Sequence, residues 1–147
     1  MVGFVTGIAV LVILSFLVWR RGRDRRVANV PAARWLRIAA VVPLALQAAV
    51  FVLFGIGEMA GGDLSGAGHL LQLAPTVLLA VLAWLRPLEG GLALLAMGIL
   101  EAATIVGAIA GAGEGAIPSP ALLILAGPYL ISGALFFLAG RLARRSS

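Results

Sequence analysis

Residues 92–110 read LALLAMGILEAATIVGAIA, an apolar run interrupted by a single charged residue, Glu101. A helix needs about 20 predominantly apolar residues to span the hydrocarbon core of a bilayer. This run is apolar on every side of a helix, whereas a helix in a water-soluble core needs only one apolar stripe. The run therefore predicts a transmembrane helix.

The whole chain has the composition of a membrane protein. Apolar residue types make up 62% of its 147 residues and charged types 12%, whereas soluble domains have about half and about a quarter. Four further apolar runs are predicted as helices at residues 2–19, 35–57, 69–85 and 121–138. Glycine-rich or proline-rich segments predicted as loops or turns separate the later runs, at residues 58–68, 86–91 and 111–120. The expected fold is all-α, a polytopic bundle of five transmembrane helices.

The five predicted helices differ in polarity. Residues 2–19 carry only Thr6 and Ser15 amid valine, isoleucine, leucine and phenylalanine, which suits a surface surrounded by lipid. Each of the other four helices carries a small or polar stripe, and such stripes are stabilised when they face other helices. We therefore expect a four-helix core at residues 35–142 and a peripheral first helix at residues 1–19.

The arginines predict the orientation of the bundle. All 11 basic residues are arginines, and a topology with the N-terminus outside and the C-terminus inside places every one of them inside. The outer loops then hold only Glu58, Asp63 and Glu114, which is the positive-inside pattern. Residues 20–34 become a basic cytoplasmic linker and residues 143–147 a basic cytoplasmic tail. The expected location is the bacterial inner membrane.

The linker and the missing residue types bear on partners and cofactors. Five linker arginines are predicted to contact anionic lipid headgroups on the cytoplasmic side: Arg20, Arg21, Arg23, Arg25 and Arg26. No nucleic-acid partner is expected, because this run has no folded basic face and no interleaved aromatic residues. The chain has no cysteine and one histidine, His69, so thiolate sites and metal or haem sites with several histidines are excluded within one copy. No cofactor, metal site or catalytic residue is expected, and His69 is interpreted as an interfacial residue.

Glu101 is the most informative polar residue because it falls near the middle of its apolar run. An acidic side chain at the bilayer centre costs about 2.5–3.5 kcal/mol, so this carboxyl should be protonated, paired or in contact with water. Other polar side chains lie at helix-interior positions and are predicted to join it. The candidate intramembrane polar cluster comprises Glu101, Thr104, Gln47, Thr76 and Tyr129.

This cluster allows three interpretations. It can bind a proton or a small ligand, or Glu101 can face a partner subunit. In the third interpretation Glu101 stays neutral and hydrogen-bonds Gln47 or Thr104 between helices, each bond contributing about 0.5–2 kcal/mol. The third is favoured narrowly, because no second ionisable group lies at the same depth to form a relay.

The core has signs of an internal repeat. The second and fourth predicted helices end in GIGE at residues 55–58 and GAGE at residues 111–114, and Gln47 and Glu101 are 54 residues apart. Tandem hairpins at residues 35–87 and 89–141 would be related by an axis along the membrane normal. Gln47 and Glu101 would then lie at similar depths.

Several short motifs run through residues 34–140. They are RWLRIAA at 34–40, FGIGE at 54–58, a P-x-x-L-L run at 75–79, AWLRPLEGG at 83–91 and GPYLISGALFFLAG at 127–140. Together they resemble an uncharacterised family of small four-helix bacterial integral membrane proteins. The resemblance implies the four-helix core and no particular activity, and the first helix at residues 2–19 departs from it.

These features favour a non-enzymatic membrane protein, an accessory subunit or a homo-oligomer that acts through helix–helix association. The alternative is a small proton- or cation-coupled carrier or channel with Glu101 as its intramembrane site. A membrane enzyme that modifies lipids is less favoured, because it needs more ionisable groups at the cytoplasmic interface than Arg86 and Glu89. Motifs of soluble enzymes, such as G-x-S-x-G and H-E-x-x-H, are missing.

Overall fold

The structure is a computed structural model that describes residues 31–111 and 122–145, and these residues form helices joined by short connections. The helices are α1 at Pro31–Ala60, α2 at Gly66–Leu85, α3 at Pro87–Gly111 and α4 at Gly127–Arg145, with one π-helical segment, Leu122–Ala126, directly before α4. All four are long and apolar enough to cross a membrane. The predicted all-helical bundle is confirmed. The predicted first helix and the five lipid-binding arginines lie outside the described residues.

The four helices form a ring: consecutive helices pack against each other, and α4 closes the ring against α1. α1 contacts α2 and α4, α3 contacts α2 and α4, and the diagonal pairs hardly touch. Short connections place consecutive helices antiparallel. Two tandem hairpins would give this ring, so the order of the helices is compatible with the repeat at residues 35–87 and 89–141, which remains a prediction.

A compact apolar core fills the centre of the ring, and each helix contributes to it. Its members include Leu44 of α1, Leu79 of α2, Leu94 of α3 and Phe136 of α4, all at most 3% exposed. Large apolar side chains also cover the outside of the bundle, and Leu53 for example is 72% exposed. Apolar side chains on both the inner and outer faces suit helices surrounded by lipid.

The connection between α1 and α2 is shorter than the predicted loop at residues 58–68. Gly62 has a φ of 86°. The amide of Asp63 donates to the carbonyl of Glu58 at 3.0 Å. The amide of Gly62 donates to the carbonyl of Met59 at 3.0 Å. These bonds form the Schellman motif that closes many helix ends. The motif lets α1 continue to Ala60, and the loop is only residues 61–65.

The predicted turn at residues 86–91 is wrong. Only Arg86 separates α2 from α3, and α3 begins at Pro87, because proline suits the first position of a helix, where no amide donor is needed. A side chain at Gly90 would clash with the backbone of Ala83 in α2. The two glycines of RPLEGG therefore serve close helix packing and do not form a turn.

Both arginine-rich ends of the bundle are more helical than predicted. α1 begins at Pro31, inside the predicted linker at residues 20–34, and α4 continues to Arg145, inside the predicted tail. Ala33 of α1 packs against Ala139 and Ala143 of α4, and all three are buried. This contact between the helix ends, together with an ion pair of 2.9 Å between Arg144 and Glu89, stabilises the additional turns.

The most extensive helix contact joins α3 and α4 through paired glycines. Gly91 and Gly98 lie two turns apart on one face of α3, and Gly133 and Gly140 do the same on α4. A Cβ atom at Gly133 would lie 2.8 Å from the amide nitrogen of Leu95 and 2.9 Å from the carbonyl oxygen of Gly91. Only glycine lets the two backbones approach this closely. We call these four glycines the glycine seam.

We expect Gly133→Ala to lower the melting temperature of the purified protein. The added methyl group overpacks the glycine seam, and overpacking costs about 1–3 kcal/mol. Gly107→Ala in α3 is the matched control, because a Cβ atom there meets nothing within 4 Å and alanine has the higher helix propensity. Thermal unfolding in detergent, followed by circular dichroism, measures both. An equal effect of the two substitutions would contradict the close contact.

Candidate functional site

A cavity of about 40 Å³ lies between the four helices within their membrane-spanning lengths. Helices α1, α2 and α3 contribute two lining residues each, and the π-helical segment and α4 contribute one each. We call it the central cavity. The lining residues are Gln47 and Phe51, Gln72 and Pro75, Met97 and Glu101, and Leu125 and Tyr129.

Gln47 is the most deeply buried amide of the central cavity, at 3% exposed. Its Nε2 donates a hydrogen bond of 2.9 Å to the main-chain carbonyl of Leu125, which lies in the π-helical turn before Pro128. The Oε1 atom of Gln47 is buried and has no hydrogen-bond partner in the described structure.

Thr76 and Tyr129 form a buried hydrogen bond across the diagonal of the ring, where α2 and α4 otherwise hardly touch. The hydroxyl of Thr76 also donates to the main-chain carbonyl of Gln72 at 3.2 Å. Because a hydroxyl has only one proton to donate, Tyr129 is the donor to Thr76. Both hydroxyl groups of this pair are therefore satisfied.

Glu101 lines the central cavity from α3 and is half-buried. None of the described residues donates a hydrogen bond to its carboxyl. The predicted interhelical bonds are wrong, because the amide nitrogen of Gln47 binds Leu125 and the hydroxyl of Thr104 donates to the main-chain carbonyl of Glu101 at 2.8 Å. Thr104 is exposed, so it does not belong to the cluster.

The structure thus brings together four of the five predicted polar residues: Glu101, Gln47, Thr76 and Tyr129. The prediction missed Gln72, although it lies one turn before Thr76 on the same helix face. It also missed Leu125, whose role comes from its main-chain carbonyl and the π-helical turn. No side-chain pattern reveals such a carbonyl.

A second polar group lies at the loop end of α1 and α2. The Nε2 atom of His69 is 3.4 Å from a carboxylate oxygen of Glu58, and the hydroxyl of Ser65 donates to the other oxygen at 3.4 Å. The imidazole stacks on Phe51, with 6.3 Å between ring centroids, and is tilted against Phe54. His69 is therefore held against α1 by a carboxylate and two aromatic rings.

Metal ligands are sparse in the parts of the chain that the structure describes. No three histidine, aspartate or glutamate side chains there come together in a way that could hold a metal ion. The central cavity offers a ligand the side-chain amides of Gln47 and Gln72 and the carboxyl of Glu101.

Comparison of the chain with protein-family models, with curated proteins and with solved structures finds no match. The family suggested by the sequence motifs therefore remains a prediction, and a function is inferred from the fold and the central cavity.

We expect Thr76→Val and Tyr129→Phe to destabilise the bundle non-additively. Each removes one hydroxyl from the diagonal hydrogen bond and keeps the approximate shape of the side chain. Interhelical hydrogen bonds in membrane proteins have coupling energies of about 0.6 kcal/mol and up to about 1.7 kcal/mol. A double-mutant cycle of unfolding free energies in detergent measures the coupling, and strictly additive effects would contradict this bond.

Proposed function

We propose that the chain is a small multi-pass membrane protein that binds a proton at Glu101, and that it works as a proton-coupled carrier or channel component. One observation carries the proposal. Among the described residues, a carboxyl without a hydrogen-bond donor and a buried amide oxygen without a partner line the same cavity inside the membrane-spanning part of the bundle. The geometry gives more support to this function than to association alone.

The size of the central cavity favours a proton over a larger ligand. A site needs about 10–15 Å³ of this kind of volume to hold one water molecule, so a cavity of about 40 Å³ has room for at least one. Water also needs two to four polar partners, and Gln47, Gln72 and Glu101 offer them. An organic substrate requires a site of several hundred Å³.

The surroundings of Glu101 suit both protonation states in turn. Water in the cavity would stabilise the carboxylate, and the protonated carboxyl can donate to a water molecule. No cation in the described residues neutralises the carboxylate permanently. A carboxyl that is not fixed in one charge state by an ion pair is the kind that proton relays in membranes use.

Helix–helix association is a second candidate function, and a different part of α3 supports it. Ala103, Gly107 and Gly111 follow one another every four residues and are exposed, and a Cβ atom at either glycine would meet nothing within 4 Å. Spacing of this kind lets another helix approach closely. A second copy or an accessory partner would use this face. Both candidate functions, proton binding and helix association, are non-enzymatic.

Finer assignments from the sequence complete the proposal. We infer a bacterial inner-membrane location, five helices, and an orientation with the N-terminus outside and the C-terminus inside. Support comes from the described arginines, which lie at the start of α1, between α2 and α3, and at the end of α4. In an up-and-down bundle these positions share one end, and anionic lipid headgroups favour such an end.

We expect Glu101→Gln to abolish a pH-dependent carboxyl signal in the infrared spectrum of the reconstituted protein. Glutamine keeps the size of the side chain and its hydrogen bonds but cannot ionise. Glu89→Gln on the same helix is the matched control, because Glu89 is partly exposed and paired with Arg144. A carbonyl-stretch band that titrates in wild type and in Glu89→Gln but not in Glu101→Gln is the expected result. A wild-type spectrum without such a band contradicts the proposal.

For the second candidate, we expect Gly107→Leu to weaken self-association or partner binding by at least about tenfold, which corresponds to 1.4 kcal/mol. The leucine prevents close approach of another helix to α3. Gly68→Leu is the control, since that glycine also has nothing within 4 Å of a Cβ atom but lies on α2. Native mass spectrometry of the protein released from nanodiscs measures the bound fraction. A wild-type protein that is monomeric and alone contradicts association.

A further inference from the structure

His69 lies directly beside the central cavity. It precedes the cavity residue Gln72 by one helical turn, so the two side chains share a face of α2. Its imidazole stacks on Phe51, which also lines the cavity. The side chains of His69 and Glu58 are 37% and 35% exposed, so the pair also reaches the surface at the loop between α1 and α2.

The two nitrogens of the imidazole differ in their surroundings. Its Nε2 atom faces the carboxylate of Glu58 at 3.4 Å. Its Nδ1 atom is buried and has no hydrogen-bond partner in the described structure. An imidazole with one nitrogen at a carboxylate and the other unoccupied can accept a proton on one side and release it on the other.

We propose that Glu58 and His69 form a second protonatable site, which passes protons between the aqueous phase at the α1–α2 loop and Glu101 in the central cavity. This inference rests on the proposed function of Glu101. The pair extends that function because it assigns the side of the membrane from which the cavity exchanges protons.

Each transfer conserves charge and requires no other reactant. A proton from water binds the imidazole of His69, and Glu58 stabilises the imidazolium. The N–H bond then breaks as a cavity water takes the proton, and an O–H bond forms on the carboxylate of Glu101. His69 returns to its neutral form, Glu101 becomes neutral, and the reverse sequence releases the proton.

The other charged and titratable groups around this path are few within the described residues. Asp63 lies in the loop, and the hydrogen bond from the Ser65 amide, at 2.8 Å, holds its pKa below the usual value. Asp63 therefore stays negatively charged in the loop between α1 and α2. α1 presents Glu58 to His69, and α3 and α4 present Glu101 and Tyr129 to the cavity.

The test uses liposomes that contain the full chain and a trapped pH-sensitive dye, with a potassium gradient and valinomycin to impose a membrane potential. We expect wild type to conduct protons and Glu101→Gln to conduct none above empty liposomes. His69→Gln and Glu58→Gln should slow conduction by at least about tenfold, as loss of a positioned proton-transfer group does. Asp63→Asn is the matched control, because it removes a charge from the same loop and keeps the acceptor for Ser65.

The infrared signal of Glu101 separates the possible failures. We expect the titrating band to persist in His69→Gln, since this variant changes the rate of proton exchange and leaves the cavity intact. Conduction that depends on Glu101 but is unchanged in His69→Gln and Glu58→Gln overturns the relay and leaves the proposed function standing. Loss of the band in both variants also overturns the relay, because the pair would then be needed for the structure of the cavity. A wild type with neither band nor conduction overturns both proposals.

Discussion

Two helix backbones can come into contact only where no side chain lies between them, and the glycine seam meets this constraint for α3 and α4. Gly98 packs against Leu130, so that one turn further along α3 the side chain of Glu101 lies beside the start of α4. Tyr129 and Leu125 then reach the same cavity as Glu101. With larger residues at the seam the helices would separate, and the central cavity would open to lipid. The glycines therefore set the position of Glu101 relative to Tyr129 and Leu125.

The second constraint is the irregular start of α4. Pro128 has no amide donor, and the π-helical turn before it presents the carbonyl of Leu125 to α1. Gln47 satisfies this carbonyl with its amide nitrogen, and the planar side-chain amide then fixes the direction of its oxygen. No described residue donates a hydrogen bond to this oxygen. Gln47 therefore joins α1 to the start of α4 through its amide nitrogen.

The sequence predicted most of the fold, because runs of about 20 apolar residues define membrane helices almost independently of their neighbours. Helix ends were harder to predict. Glycine and proline in residues 86–91 indicate a turn as readily as a helix start with close packing, and only the contact with Ala83 distinguishes the two. In the site, helical spacing placed Gln47 and Glu101 correctly, but Thr104 was wrong because spacing alone does not show which face turns inward. The carbonyl of Leu125 has no signal in side-chain patterns at all.

The degree of satisfaction of the polar groups distinguishes structural from functional parts of the site. The hydroxyls of Thr76 and Tyr129 bond each other, and Thr76 also donates to the main-chain carbonyl of Gln72. Such bonds are expected where polar groups hold helices together. Gln47 and Glu101 lie in the same cavity with acceptors that no described residue satisfies. A buried polar group without a partner costs about 1–3 kcal/mol, and a purely structural cluster could remove that cost with an apolar side chain. The unsatisfied acceptors of Gln47 and Glu101 therefore support the proposed proton site, because water that carries a proton would satisfy them.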